Sequence, residues 1–286
     1  VAGSGSAPIE WHLLDITSSQ SCEELIRAQK PEVIYHLAGV SFVPQAEDDF
    51  LGALAANVAG ADNLLRAAHA AGRDIRFIMA GSADVYGKVP LAELPVHEET
   101  VPRPVNAYST TKLMAEIVAD RWHRLGRVAA TILRPFNHIG PGQNGRFVVP
   151  GFARQLAAIA QGKQDPQIKV GNLSARKDFT DVRDVVCAYR LAALRKPPPQ
   201  APGRYVICSG RSVAIQDILD GLIAVSGVEV EVVQDPARMR PAEVPELYGS
   251  FAKAEAELGW RPQYSLLQSL GDVYRNVFDR MVAGHE

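Results

Sequence analysis

Short apolar runs alternate with stretches of helical periodicity through the first two thirds of the chain, and this alternation limits the fold more than any other feature. The runs at residues 9–14, 33–38, 76–79 and 128–133 are strand-length. Between them, residues 50–71 carry Leu51, Leu54, Val58, Leu64, Leu65 and Ala68 at helical spacing, and residues 106–124 form a second long helix. Ser21 with Glu24 reads as a capping box that opens a helix running to Gln29, and Pro31 stops it. Strands that alternate with helices build a parallel sheet covered on both faces. The predicted class is α/β, a doubly wound parallel sheet.

The pattern loosens further on. Helices are predicted at 150–161, 182–194, 215–225, 252–258 and 266–282, with short strands at 168–170, 204–208 and 228–233. Pro197, Pro198, Pro199 and Pro202 mark a rigid surface connection. The expected division is a dinucleotide-binding domain at residues 1–140 plus 178–209, and a smaller α/β substrate domain at 141–177 plus 210–286. In sheets of this kind ligands gather at the carboxyl ends of the strands. Asp15, Gly39, Ser82 and Asn137 fall at such ends.

Composition removes several function classes. A formal net charge of -2 offers no basic face for nucleic acid or membrane. Cys22, Cys187 and Cys208 are odd in number and far apart, which is no disulfide framework and suits a reducing cytoplasm. The seven histidines form no metal-ligand pattern, so no metal is expected, and no G-x-S-x-G elbow marks a hydrolase.

Tyr108 and Lys112 stand one turn apart near the start of a predicted helix and share a face. A phenol is a poor acid or base at neutral pH. A neighbouring ammonium is expected to favour the phenolate, so that the pair can pass a proton to or from a substrate oxygen. Ser82, at a strand tip, is placed to hydrogen-bond that same oxygen. Y-x-x-x-K alone is weak and is more often a solvated pair; its surroundings give it weight.

Those surroundings are HLAG (residues 36–39), NVAGADNLL (57–65), GSADVYG (81–87), NAYSTTK (106–112) and RPFNHIGPGQ (134–143), in that order. Together they resemble the extended short-chain dehydrogenase/reductases that act on sugar nucleotides, over essentially the whole chain. GNLSARKDFTDVRDVV (171–186), DPARMRPAEVP (235–245) and LGWRP (258–262) look most like the reductases of GDP-linked 4-keto-6-deoxymannose, with the GDP-mannose 4,6-dehydratases as neighbours. The resemblance implies a Rossmann-type fold, Ser82, Tyr108 and Lys112 as the catalytic residues, and NADPH or NADH as hydride donor. It implies a GDP-linked 4-keto-6-deoxyhexose as substrate, GDP-D-rhamnose as product, and a homodimer through the helices bearing Asn57 and Tyr108. Rival readings are a dehydratase or epimerase on the same scaffold and a non-catalytic nucleotide-binding relative.

Asp84 occupies the position where the resembling dehydratases carry a glutamate base. Its shorter reach, with Ala83 before it, favours plain ketone reduction; the bland alternative is a loop carboxylate capping backbone amides. By the same resemblance Asp15 and Ile16 contact the adenine, and Leu37, Ala38 and Gly39 line the cofactor pyrophosphate. Asn57 supports the site and Pro135 adjoins the cofactor, while His36 is expected to be a satisfied core histidine. Asn137, Lys177 and Arg240 are candidates for the substrate diphosphate, Val170 and Asn172 lie near the base, and Glu243 lies at a ribose. Where the pattern has an arginine before Asp-Phe this chain has Lys177, with Arg176 one place earlier, so either can be the phosphate contact. The resemblance also implies a strand, glycine-rich turn and helix ahead of Asp15. Gly3 to Pro8 does not supply them, and on the order of 25 further residues are expected in front.

Overall fold

The computed structural model describes residues 9–239 and 244–284. Its centre is a parallel sheet whose strands are nearly continuous apolar runs, as a sheet buried on both faces requires. In chain order the helices and strands are α1 (Ser19–Gln29), β1 (Val33–His36), α2 (Val43–Asp48), α3 (Phe50–Leu54), α4 (Gly60–Ala70), β2 (Arg76–Ala80) and α5 (Ala107–Arg124). There follow β3 (Ala129–Pro135), β4 (Asn137–Ile139), α6 (Val148–Ala160), β5 (Gln167–Val170), β6 (Arg176–Lys177), β7 (Phe179–Asp181) and α7 (Val182–Leu194). The last are β8 (Gly203–Ile207), β9 (Val213–Ala214), α8 (Ile215–Ser226), β10 (Glu231–Gln234), β11 (Glu246–Leu247), α9 (Ala252–Leu258) and α10 (Leu266–Val282).

The main sheet runs β1-β2-β3-β8, all parallel. Alternation along β2 divides its side chains between two layers. Phe77 and Met79 pack with Leu64, Leu65, Ala115 and Trp122 of α4 and α5, while Ile78 joins Leu133, Val185, Ala188 and Trp260 beneath α7 and α9. A second core is built from α6, α8, α10 and β5, around Leu156, Ile168, Leu219 and Leu270. β4 pairs with β7, and β6 with β9 and β11, so the chain crosses between the two cores several times.

Three local expectations are corrected. Residues 9–14 form no strand: Ile9, Trp11 and Leu13 are exposed, Leu13 fully. A strand exists only where a neighbour takes its backbone groups, and among the described residues none pairs with this segment. α1 begins earlier than the Ser21 box implied: Ser18 is the N-cap and its Oγ accepts the Ser21 N–H, whereas Gln20 rather than the backbone takes Glu24. The helix over 50–71 is not uniform. A π-turn, Ala55–Ala59, separates α3 from α4 and carries the buried Asn57; π-turns inside helices commonly mark functional positions.

Candidate active site

Ser82 leaves the carboxyl end of β2 and caps a single 3-10 turn, Ala83–Tyr86, its Oγ accepting the Asp84 N–H at 3.2 Å. Tyr108 and Lys112 stand in the first turns of α5. That helix starts where it does because Asn106 and Ser109 cap each other's backbone: Asn106 Oδ1 accepts the Ser109 N–H at 2.8 Å, and Ser109 Oγ accepts the Asn106 N–H at 3.2 Å. A reciprocal cap of this kind is worth about 1 kcal/mol and fixes the orientation of the helix face two residues before the phenol.

The Ser82 hydroxyl hydrogen-bonds the Tyr108 phenol oxygen. Burial pushes the phenol up to about 12, the Asp84 carboxylate pushes the same way, and the Ser82 hydrogen bond partly opposes them. Desolvation of the phenolate and the like charge of Asp84 both oppose the lowering expected of Lys112. Lys112 falls to about 8, again by burial, with Glu116 holding it up. Tyr108 is thus held as a proton donor well past neutral pH.

Asn57 ties the cofactor-side loop to the catalytic helix. Its Oδ1 accepts the Val40 N–H at 2.8 Å, and its Nδ2 donates to the Val40 carbonyl at 3.1 Å and to Thr111 Oγ1 at 2.9 Å. Thr111 in turn donates to the Tyr108 carbonyl at 2.9 Å. Gly39 sits against this clamp at φ +149°, where a Cβ would stand 2.3 Å from Asn57 Oδ1. Leu37, Ala38 and Gly39 are exposed at the strand end, a bare stretch of backbone suited to a pyrophosphate. Asp15 is exposed, its carboxyl lowered by hydrogen bonds from Thr17. Ile16 packs against Gly60, and Pro135 is buried at the end of β3. His36 is buried beside Phe77 and held neutral, down to about 4, by burial and by Lys112. It is not fully satisfied, since its Nδ1 finds no partner.

Behind α5 lies a polar group that motif reading left without a role. Arg134, at an apolar strand end, grips Glu116 of α5 through Nε at 3.0 Å and Nη2 at 2.7 Å, both side chains almost fully buried. Its Nη1 donates to the Tyr86 hydroxyl at 3.0 Å, which donates to the His97 carbonyl at 2.8 Å. A charge inside an apolar strand run is the signal that could have found it, because a buried guanidinium demands a carboxylate.

On the substrate side Asn137 is exposed and its Nδ2 donates to the Asp178 carbonyl at 3.3 Å. Val170 is fully buried, and Asn172 Oδ1 accepts from the Ser174 N–H and Oγ in a local turn. Arg176 donates to Ser212 Oγ and carbonyl and pairs with Glu246 at 3.4 Å. Lys177, next in a strand and so on the other face, donates to the Val244 carbonyl at 3.2 Å. Arg240 and Glu243 lie outside the described residues. Asp178, buried, accepts from Ser209 N–H and Oγ and from the Gly210 N–H, tying β7 to the loop after β8.

A parallel sheet with a serine at a strand's carboxyl end, facing a tyrosine and a lysine at the start of a helix, defines an oxidoreductase of the short-chain dehydrogenase/reductase class. The family model described as GDP-mannose 4,6 dehydratase matches residues 3–273, and the chain belongs to that family. It is 40% identical to the GDP-6-deoxy-D-mannose reductase of Pseudomonas aeruginosa over 91% of this chain and 84% of that protein. It is 29% identical to GDP-mannose 4,6 dehydratase 2 of Caenorhabditis elegans, over 93% and 73%. The structure of RMD from Pseudomonas aeruginosa complexed with NADPH superposes with a TM-score of 0.88 at 37% identity, covering 94% of this chain and 88% of that one.

Proposed function

We propose that the protein reduces GDP-4-dehydro-6-deoxy-D-mannose to GDP-D-rhamnose with NADPH or NADH. The observation that carries this reading is Tyr108, hydrogen-bonded to Ser82 and one turn from Lys112 on α5: a phenol so placed can give its proton to a keto oxygen that Ser82 also reaches. The nicotinamide nucleotide, when bound, supplies the hydride to C4. Ser82 holds the keto oxygen in line, Tyr108 protonates it, and Lys112 orients the cofactor ribose. Leu37, Ala38, Gly39 and Asp15 cradle the nucleotide, while Asn137 and Lys177 take the substrate diphosphate. Residues 1–140 plus 178–209 act as the cofactor half and the remainder as the sugar-nucleotide half. The 40% identity to a reductase supports this choice over the dehydratase.

A second reading keeps one specific support. Asp84 is close enough to Tyr108 to raise it, which supports a carboxylate base for water elimination. Sugar nucleotides offered with NADPH and NADH, products identified by NMR, separate the two. Consumption of reductant with the 4-keto substrate and a D-rhamno product supports reduction; a 4-keto product from GDP-mannose without reductant would establish the dehydratase. No consumption at all leaves a non-catalytic binding protein. Among the described residues no helix is long and apolar enough to cross a membrane. Three free cysteines, two of them buried, support residence in a reducing cytoplasm.

A further inference from the structure

The segment that follows Gly39 is fastened to the catalytic helix at two points. Val40 is clamped through both its backbone groups by Asn57. Further along, Glu47 Oε1 of α2 accepts the Ala107 N–H at 2.6 Å, one residue before Tyr108. Phe42 lies between these anchors, half-buried, at the position preceding α2. A helix start needs no aromatic ring there, and the ring's contacts are with the substrate side. The Arg146 guanidinium carbon lies 4.6 Å from the Phe42 centroid and 5.5 Å from that of Phe147. The two rings meet edge to face at 6.1 Å. Phe147 is the residue that precedes α6, whose apolar face forms the second core with Ile168 and Leu219. One cation between two rings thus joins a strap bolted to the catalytic helix and the first turn of the substrate-side helix.

We propose that Phe42, Arg146 and Phe147 form a cation–π latch that ties the start of α6 to α2, which packs on the catalytic helix, and so sets affinity for the sugar nucleotide. The role rests on the reduction reading for its ligand but not for its geometry. Phe42 is a positioning residue: it holds α6, and Tyr108 does the chemistry. The attraction is that of a cation for a ring face, so bulk alone does not replace it.

Phe42→Ala and Phe42→Leu are each expected to raise KM for the GDP-linked 4-keto sugar about fourfold, with kcat and KM for NADPH unchanged, whereas Phe42→Tyr keeps wild-type values. Arg146→Met has the same effect as Phe42→Leu, and the double variant is no worse than either. A readout that needs no substrate is amide hydrogen exchange: residues 141–147 exchange about tenfold faster in Phe42→Leu, while β3 is unchanged. Unaltered exchange at 141–147 overturns the latch. Altered exchange with an unaltered sugar-nucleotide KM, or a kcat loss that Phe42→Leu and Phe42→Ala share with β3 loosening, overturns its positioning role. A wild-type enzyme that never consumes NADPH with this substrate removes the reduction reading, and exchange still decides the latch.

Discussion

Burial moves Lys112 down and Tyr108 up, which makes their roles separable by pH. Lys112 lies near about 8 and Tyr108 near about 12. The Lys112 ammonium, proposed to orient the ribose, is present below about 8 and is lost as pH rises through that value; the phenol keeps its proton throughout. The expected kcat/KM for NADPH therefore falls tenfold per pH unit above about 8, a slope of one proton. Lys112→Arg turns over more slowly but shows no such limb, since a guanidinium stays charged. A limb that survives in Lys112→Arg would assign it to another group. Asp84 acts in the same electrostatic field. Asp84→Asn removes a charge that raises Tyr108, so the phenol titrates lower, a change readable by its ultraviolet absorbance on alkaline titration. Reduction survives this substitution; Tyr108→Phe abolishes it, with a loss of about 10²–10⁴ in kcat.

At the scale of elements, the catalytic helix is held by two very different devices. Asn57, presented by a π-turn, bolts its first turns to the loop at Gly39, and Arg134 grips its third turn through Glu116. Glu116→Ala leaves a buried guanidinium without its counter-charge and is expected to cost about 3–5 kcal/mol of stability, read as a shift in the denaturant midpoint at constant m-value. Gly39→Ala drives a methyl into Asn57 Oδ1 at a positive φ; its expected signature is raised KM for NADPH with less change in KM for the sugar nucleotide. Little of this holding apparatus was legible beforehand, and the reasons are physical. Periodicity reports which face of a helix is apolar, so it located the helices over 107–124 and 182–194 closely. It is blind to one extra residue in a turn: Asn57 was marked only through the family resemblance, and its clamp on Val40 and Thr111 was not foreseen. Residues 9–14 alternate like a strand, yet pairing is a property of two segments. The phenol, ammonium and hydroxyl were marked by the motifs around them, since the Tyr108–Lys112 spacing alone is weak. Their pKa order was not, because desolvation depends on neighbours such as Asp84 that only the folded chain assembles.

The whole molecule carries its chemistry on helices whose outer faces are not covered within one chain. Leu51 of α3 and Ile117 of α5 are 73% and 61% exposed, and Met114, one turn before Ile117, is 37% exposed. α5 presents Met114 and Ile117 outward because Ala115 and Ala119 point into the core. Apolar side chains clustered on packed neighbouring helices are what a second copy covers in a symmetric dimer. A dimer joined there would rest on the same helices that bear Asn57 and Tyr108, so it would stiffen the clamp between Val40 and Thr111 from outside. The expected result is a wild-type dimer in sedimentation velocity and a monomer for Leu51→Arg with Ile117→Arg, since charge on a self-complementary face is repeated by the symmetry and opposes itself. Losing the neighbour leaves every contact of Ser82, Tyr108 and Lys112 within its own chain, so the monomer should keep measurable turnover while its thermal midpoint falls and comes to depend less on protein concentration. A double variant that stays dimeric places the interface on another face.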